Sequence, residues 1–230
     1  MCSSDLYPET AVFFPRKKTI VTGNPLRSSV LNPNPPQPHW LTKESQKPIL
    51  YITGGSQGSQ TINSLVATVL PQLLKEWCVI HQCGHPNAVT HYARELDRKK
   101  KTLSSEVQQS YYIREWLEES ELAWVYQHAK CIVSRAGANT VHELTMLGKP
   151  AIFIPLPFSH GEEQLKNAQA VTSTGAALLL LQKDADAETF LKTIAQFKRE
   201  YPSLQKNAVH NASLWERHAD QKLYDVVKNL

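Results

Sequence analysis

The sequence has no run of 18 apolar residues, so it predicts no membrane-spanning helix. Its start has no apolar segment of the kind found in secretory signals, and no such signal is expected. There are only four cysteines and no CxxC pair, and the last three, Cys78, Cys83 and Cys131, lie in or beside apolar runs. We therefore expect small buried thiols in a reducing compartment.

The excess of positive over negative charge is also small. The formal net charge is +4, too modest to indicate nucleic-acid binding, so no nucleic-acid partner is expected. The densest basic run, 98–101, lies in a polar segment and is expected to be a solvated loop. The nine histidines show no ligand spacing such as HExxH, and neither a metal nor a cofactor is expected.

The first six residues, MCSSDL, are expected to be an assembly scar. Reverse-translated from a GTG start codon, they give a nucleotide string like the end of a common sequencing adapter. Such a segment carries no information about the fold, and the native protein is expected to begin upstream. Resequencing the locus tests this expectation.

The chain then divides by composition. Residues 19–22 predict a short strand, and the Pro- and Asn-rich stretch 31–40 indicates a linker because proline fixes φ and donates no backbone hydrogen bond. From Pro48 onward, apolar runs alternate with helical patterns. The strongest helix, 62–74, repeats apolar residues at i, i+3 and i+4, although Pro71 is expected to kink or split it.

This alternation predicts an α/β fold with a parallel sheet and helices on both faces. Helices are also expected at 87–100, at 119–128, from about Glu162, and two or three times near the C-terminus. Strands are predicted at 49–53, 78–84, 110–116, 131–134, 150–155 and 176–181.

Two turns made of small residues follow predicted strands. GGSQGS (54–59) comes after the first, and SRAGANTVHEL (134–144) runs from another strand into a helix. Both should lie at the carboxyl ends of parallel strands and face one crevice, where ligands of such sheets bind. Backbone N–H groups without bulky neighbours, together with a helix N-terminus, suit a diphosphate.

Three polar side chains near these turns allow two interpretations each. Glu143 could accept hydrogen bonds from both hydroxyls of a ribose, or it could be a solvated acid favoured by the helix dipole. Gln164 and Asn167, three apart on one helical face, could meet the hydroxyls of a sugar or could be surface polar residues. The glycines of the first turn could be purely structural.

Six segments in order nevertheless resemble the MurG family: VTGNPLR, GGSQGS, YIREW, SRAGANTVHEL, GKPAIFIPLP and QLKNA. That resemblance implies a GT-B fold with two Rossmann-like domains around a cleft. It implies transfer of N-acetylglucosamine (GlcNAc) from UDP-GlcNAc to lipid I with inversion, which forms lipid II, and no metal. It divides the chain into a remnant of the N-terminal acceptor domain with the interdomain strand (7–27), a linker (28–47) and the C-terminal UDP-GlcNAc-binding domain (48–230).

The resemblance also implies roles for individual residues. Arg27 corresponds to an interdomain arginine that contacts the donor, and Ile113 to a residue whose backbone pairs with uracil. Glu143 would hold the ribose, and Gln164 with Asn167 would hold the GlcNAc hydroxyls. The diphosphate and ribose would be met by the two turns, through Gly55, Ser56 and Gln57, and through Gly137, Ala138, Asn139, Thr140, Val141 and His142.

The sequence departs from the family pattern at Asn139, where a leucine is common, and in the spacing that would assign His160. The family's acceptor site and proposed base precede Tyr7, so no catalytic residue is assigned and the chain is expected to be inactive alone.

The resemblance implies a peripheral enzyme at the cytoplasmic face of the bacterial plasma membrane. The segment 11–18 is expected to pack with the preceding domain. Two alternatives remain: a free-standing donor-binding subunit of a split glycosyltransferase, and another GT-B UDP-sugar enzyme such as an epimerase or a glycolipid glycosyltransferase.

Overall fold

The computed structural model describes residues 15, 19–20, 22, 24–41, 46–86, 91–214 and 219–228. The predicted scar at 1–6 and most of the segment 11–18 lie outside the described residues.

Six parallel strands form one sheet in the order β3-β2-β1-β4-β5-β6. The strand order reverses between β1 and β4, which pair side by side with Thr53 opposite Ser134. Such a reversal opens a crevice at the carboxyl ends of the two strands. The strands are β1 (Ile49–Thr53), β2 (Cys78–Gln82), β3 (Tyr111–Arg114), β4 (Ala129–Ser134), β5 (Ala151–Phe153) and β6 (Ala177–Leu179).

Helices connect the strands and follow the last one. Short 3-10 turns at His160–Glu162 and Gln182–Asp184 precede α6 and α7. The helices are α1 (Gln60–Glu76), α2 (Tyr92–Lys101), α3 (Ser105–Gln108), α4 (Glu119–His128), α5 (Ala138–Met146), α6 (Glu163–Thr172), α7 (Ala187–Leu214) and α8 (Ala219–Lys228).

Hydrophobic cores lie on both faces of the sheet. Successive residues of a strand point to opposite faces, so Leu50 and Ile52 pack with α1 and α7 while Tyr51 packs with α4 and α5. The sheet therefore has helices on both sides, as the alternation predicted. Cys78, Cys83 and Cys131 are buried free thiols, as expected.

Helix α1 confirms its predicted apolar face but not the predicted break. Pro71 lies inside an unbroken helix. Its ring is on the exposed side, so the carbonyl group that loses its hydrogen-bond donor is four residues earlier at half-buried Ala67, within reach of water. The apolar positions that form the pattern are all buried: Ile62, Leu65, Val66, Val69, Leu70, Leu73 and Leu74.

Two further local predictions are wrong. Thr19, Ile20 and Thr22 belong to no strand, and Ile20 is largely exposed; β propensity alone forms no strand where no partner strand pairs with it. The basic run 98–101 is not a loop but the last turn of α2. Positive charges are favourable there because they interact with the negative end of the helix dipole. There Lys100 Nζ donates to the Tyr111 carbonyl at 2.7 Å.

The described part of the predicted linker is packed against α4. Val30 and Leu41 are buried in the core on that face. The indole N–H of Trp40 donates to Glu121 Oε1 at 2.6 Å, and Ser29 Oγ donates to Glu119 Oε2 at 3.0 Å. These contacts fix the segment that follows Arg27 to the sheet domain.

A buried polar cluster joins α1, β2 and β3. The ring nitrogens of His81 lie 2.8 Å from the Tyr111 hydroxyl and 2.9 Å from Asn63 Oδ1, and Asn63 Nδ2 donates to the Cys83 carbonyl at 3.0 Å. Burial lowers the pKa of His81 to about 3. The imidazole therefore stays neutral in the folded chain throughout the range in which an unfolded histidine titrates.

Acidification is expected to destabilise the chain through His81. The unfolded histidine titrates near pH ~6.5, so between there and the folded pKa of about 3 only the unfolded state binds this proton. Stability should fall as the pH decreases, by up to about 1.4 kcal/mol per pH unit from this residue. Urea unfolding from pH 7 to pH 4 of wild type and His81→Gln measures this, because the other groups cancel in the difference. The difference in free energy of unfolding between wild type and His81→Gln should shrink as the pH falls. A difference that stays constant from pH 7 to pH 4 would contradict the prediction.

Candidate functional site

The two turns of small residues meet at the switch-point crevice, which we define as the space between turn 54–59 and the N-terminus of α5. They follow the adjacent parallel strands β1 and β4. A direct contact joins them, since Arg135 Nη2 donates to Ser59 Oγ at 2.6 Å. The expectation that both turns lie at one edge of the sheet is confirmed.

The first turn presents its tip to solvent. It is closed by a hydrogen bond from Gly58 N to Gly55 O at 3.1 Å, and the Ser56 carbonyl accepts from His85 N at 3.2 Å. Ser56 and Gln57 are exposed, and a Cβ added to Gly55 would contact nothing within 4 Å. The tip can therefore approach a ligand closely, as the sequence pattern suggested.

Gly58, by contrast, is needed for packing inside the protein. Its φ is +73°, and a Cβ there would lie 2.0 Å from the Cys83 carbonyl oxygen. Gly84 approaches the same residue, since its own Cβ would lie 2.2 Å from Gly58 N. The structural interpretation of the glycines therefore holds at Gly58, where the first turn packs against the end of β2.

The second turn ends in an open helix N-terminus. Gly137 is the N-cap of α5 and its carbonyl accepts from Val141 N at 3.0 Å. The first N–H groups of a helix have no intrahelical partner, which leaves those of Ala138, Asn139 and Thr140 for another acceptor. A Cβ added to Gly137 would meet no heavy atom within 4 Å, so the space beside this residue is open. An anion can therefore reach these N–H groups.

The next two predicted site residues do not present side chains to the crevice. Val141 is completely buried in the core and its amide is used inside α5. His142 is 2% exposed, and burial lowers the pKa of its ring. Asn139 is exposed, and its Oδ1 accepts from Asn24 Nδ2 at 3.1 Å.

Glu143 is buried rather than exposed, which corrects the solvated-acid interpretation of its position. Its side chain is 4% exposed. Oε1 accepts from Arg27 Nε at 2.8 Å and from Arg27 Nη2 at 2.6 Å. Oε2 lies 3.3 Å from the Tyr126 hydroxyl. The structure thus brings together two predicted site residues 116 positions apart, and adds Tyr126, which sequence reasoning missed.

The ion pair lies in a weakly solvated environment. Burial raises the pKa of Glu143 above its ordinary value, and the Arg27 guanidinium and the Tyr126 hydroxyl oppose that rise. The arginine side chain is 35% exposed and lies on the outer side of the pair. A carboxylate held in this way gains strongly from any further hydrogen-bond donor that reaches it.

Gln164 and Asn167 lie on α6 beside the second turn. Asn167 is 4% exposed and its Nδ2 donates to the Ala136 carbonyl at 3.1 Å, so the surface-polar interpretation is wrong for this residue. Gln164 is half-buried, and its Oε1 accepts from Leu156 N at 3.0 Å. This contact engages the oxygen of the amide and leaves its NH₂ group as the part of the side chain that could donate to a ligand.

Ile113 lies on β3, an edge strand of the sheet. Hydrogen bonds from Val79 N to Ser110 O and from Cys83 N to Arg114 O show which carbonyls face β2. By strand alternation, the N–H and C=O of Ile113 face the outer edge, the side on which Lys100 reaches Tyr111 O. A groove of about 440 Å³ lies there, lined by His85, Ala93, Ile113, Arg114, Glu115 and Trp116.

Arg135 is a second residue that sequence reasoning left without a role. Besides Ser59, its guanidinium donates to Gln182 Oε1 at 2.6 Å and to the carbonyls of Ile154 and Pro155 at 3.0 and 3.2 Å. Burial lowers its pKa. Arg135 thus ties the first turn to the loop after β5. The only signal in the sequence was a lone arginine between a buried strand and a turn of small residues.

Among the described residues, no group of three or more His, Cys, Asp or Glu side chains could hold a metal ion. None of the helices that the structure describes is long and apolar enough to cross a membrane.

The fold is that of the GT-B glycosyltransferases. The chain superimposes on Acinetobacter baumannii MurG with a TM-score of 0.66 and 24% identity, over 94% of this chain and 59% of that one. It superimposes on the kitacinnamycin glycotransferase with a TM-score of 0.70 and 16% identity, over 97% and 52%. Both are half-length matches to larger glycosyltransferases.

Residues 49–230 match the glycosyltransferase family 28 C-terminal domain, and the chain belongs to that family. A curated relative from Bacillus cereus is 33% identical over 97% of this chain. Its name is UDP-N-acetylglucosamine–N-acetylmuramyl-(pentapeptide) pyrophosphoryl-undecaprenol N-acetylglucosamine transferase 1. A transferase with the same name, without the final number, from Treponema denticola is 33% identical over 82% of this chain. The chain spans 60% of the length of the first relative and 49% of the second.

Proposed function

We propose that this chain is the donor-binding half of an inverting transferase that moves GlcNAc from UDP-GlcNAc to lipid I. The observation that carries the proposal is the arrangement on α5. The open N–H groups of Ala138, Asn139 and Thr140 lie at its start, and the Glu143 carboxylate follows just over one turn later. Anion donors and a buried acceptor on one helix match the diphosphate and the ribose of a nucleotide sugar.

We assign the remaining parts of the donor to the other predicted site residues. The tip at Gly55, Ser56 and Gln57, where Ser56 and Gln57 are exposed, would meet the diphosphate. The outward edge at Ile113 offers one N–H and one C=O for uracil beside a groove. The amide of Gln164 would bind GlcNAc hydroxyls together with Asn167, which lies on the same helix and contacts the second turn. Arg27 would approach the donor from the side of the preceding domain.

The relatives' names support a proposal for the acceptor and for the location of the enzyme. Those names specify an undecaprenol-linked acceptor, which is a membrane lipid, together with UDP-N-acetylglucosamine. We propose a peripheral enzyme at the cytoplasmic face of the bacterial plasma membrane, with roles in peptidoglycan synthesis, cell shape and division. We assign the acceptor-binding site and the catalytic base to the part of the relatives' length that this chain does not span. No residue of this chain is given a catalytic role.

Nucleotide discrimination tests the proposal. By calorimetry, the 230-residue chain should bind UDP and UDP-GlcNAc. CDP, which is the same size but presents reversed donors and acceptors to Ile113, should bind about 10- to 100-fold more weakly because buried groups stay unpaired. ADP should bind more weakly still, because the purine needs more room.

The same chain should give no turnover when labelled GlcNAc transfer to a lipid I analogue is assayed in detergent, because catalysis needs a positioned acceptor and a base. Equal binding of ADP and UDP would contradict the donor assignment. Clear turnover would contradict the proposal that this chain binds the donor and lacks the acceptor site and the base.

A further inference from the structure

The two oxygens of Glu143 have different partners. Arg27 occupies Oε1 with two donors, and Tyr126 faces Oε2 at 3.3 Å. A carboxylate only accepts hydrogen bonds, so the phenol is the donor in the second contact. Each oxygen has about two lone-pair directions, so the contacts among the described residues fill Oε1 and leave one direction of Oε2 for a further donor.

Tyr126 is the rigid support of this carboxylate. It lies on α4, is 2% exposed, and packs edge-on to Tyr51 with ring centroids 6.0 Å apart. Burial raises the pKa of its hydroxyl well above the ordinary value, so the phenol keeps its proton. Arg27, by contrast, has a side chain 35% exposed on a segment outside the sheet.

We propose that Tyr126 is a positioning residue for nucleotide recognition. Its hydroxyl fixes the carboxylate of Glu143 so that the free direction of Oε2 points to a ribose hydroxyl. This inference rests on the proposed ribose-binding role of Glu143. Without the phenol, the carboxylate is held only through Oε1 by a half-exposed arginine, and it can rotate away from the ligand.

The test compares two ligands that differ only in the ribose hydroxyls. Calorimetry on the 230-residue chain measures the affinity for UDP and for 2′,3′-dideoxyuridine diphosphate, and the ratio of the two reports the ribose contact. Tyr126→Phe should lower that ratio about 3- to 10-fold, as expected for one lost hydrogen bond. A role in stability alone would change both affinities together and leave the ratio as it is.

Tyr51→Phe is the matched control. It removes another buried hydroxyl on the same core, one that donates to Gln82 Oε1 at 2.9 Å, and should leave the ratio unchanged. If Tyr126→Phe does not fold, Tyr126→Met provides the same test, because it removes the same hydroxyl while a flexible apolar side chain fills the space in the core. It should lower the ratio to a similar extent.

The outcomes separate the inference from the function on which it rests. A wild-type ratio in Tyr126→Phe, with a reduced ratio in Glu143→Gln, would overturn the role of Tyr126 alone. A wild-type ratio in Glu143→Gln would overturn the ribose assignment itself. An equal loss with Tyr51→Phe would show that any buried hydroxyl on this core has the same effect, and would also overturn the proposal.

Discussion

Gly58→Ala is expected to destabilise the chain by about 2–5 kcal/mol, the sum of a left-handed backbone strain and an overlap inside a packed turn. The overlap is severe because the new Cβ would lie 2.0 Å from the carbonyl oxygen of Cys83. The atom it meets belongs to the backbone at the end of β2, so no side chain can rotate away. The first turn would have to move as a whole. Urea unfolding monitored by circular dichroism measures the loss.

Gly55→Ala is the control for the strain by itself. Gly55 also has a positive φ, +88°, but a Cβ there would contact nothing within 4 Å. Its cost should be about 1–2 kcal/mol, the penalty of the left-handed region. Equal losses in the two variants would show that the close approach to Cys83 is unimportant. Because Gly58 holds the first turn, Gly58→Ala should also weaken UDP binding.

Glu143→Gln is expected to reduce UDP-GlcNAc affinity about 10- to 100-fold, since it replaces a charge-assisted acceptor by a neutral amide. The side chain keeps its size, so the core around it should remain packed.

Glu143→Ala should lose at least as much affinity for UDP-GlcNAc as Glu143→Gln. It should also destabilise the fold by about 1–3 kcal/mol, because Arg27 is left without its partner, an effect moderated by the arginine's exposure. Calorimetry and urea unfolding on the same samples separate the two effects.

Glu119→Gln provides the matched control for charge. Glu119 is an exposed acid at the start of α4 that accepts from Ser29 Oγ. Its neutralisation removes one negative charge from the same side of the domain without touching the crevice. Donor affinity should stay within a factor of about two of wild type, because exposed charges are well screened. Unchanged affinity in Glu143→Gln as well would refute the ribose assignment.

Local patterns in the sequence were enough to predict the helices, the strands and the fold class. Apolar runs and the i, i+3, i+4 pattern are local signals, so strands such as 49–53 and helices such as 119–128 could be located within a residue or two. Strand–helix alternation then required a parallel sheet. The two turns of small residues could be assigned to one crevice, because carboxyl ends of parallel strands share an edge.

Which polar groups meet depends, by contrast, on how the chain folds in three dimensions. Glu143 is buried because Arg27, 116 residues away, lies against it, and Arg135 reaches Ser59 across 76 residues. No periodic pattern encodes such partners, since they come from distant elements that the sheet order brings side by side. The same reason explains why the described residues Thr19, Ile20 and Thr22 form no strand and why the predicted linker packs at Trp40. A residue type and its spacing predict an element, whereas the burial and pairing of a charge depend on the neighbours that folding supplies.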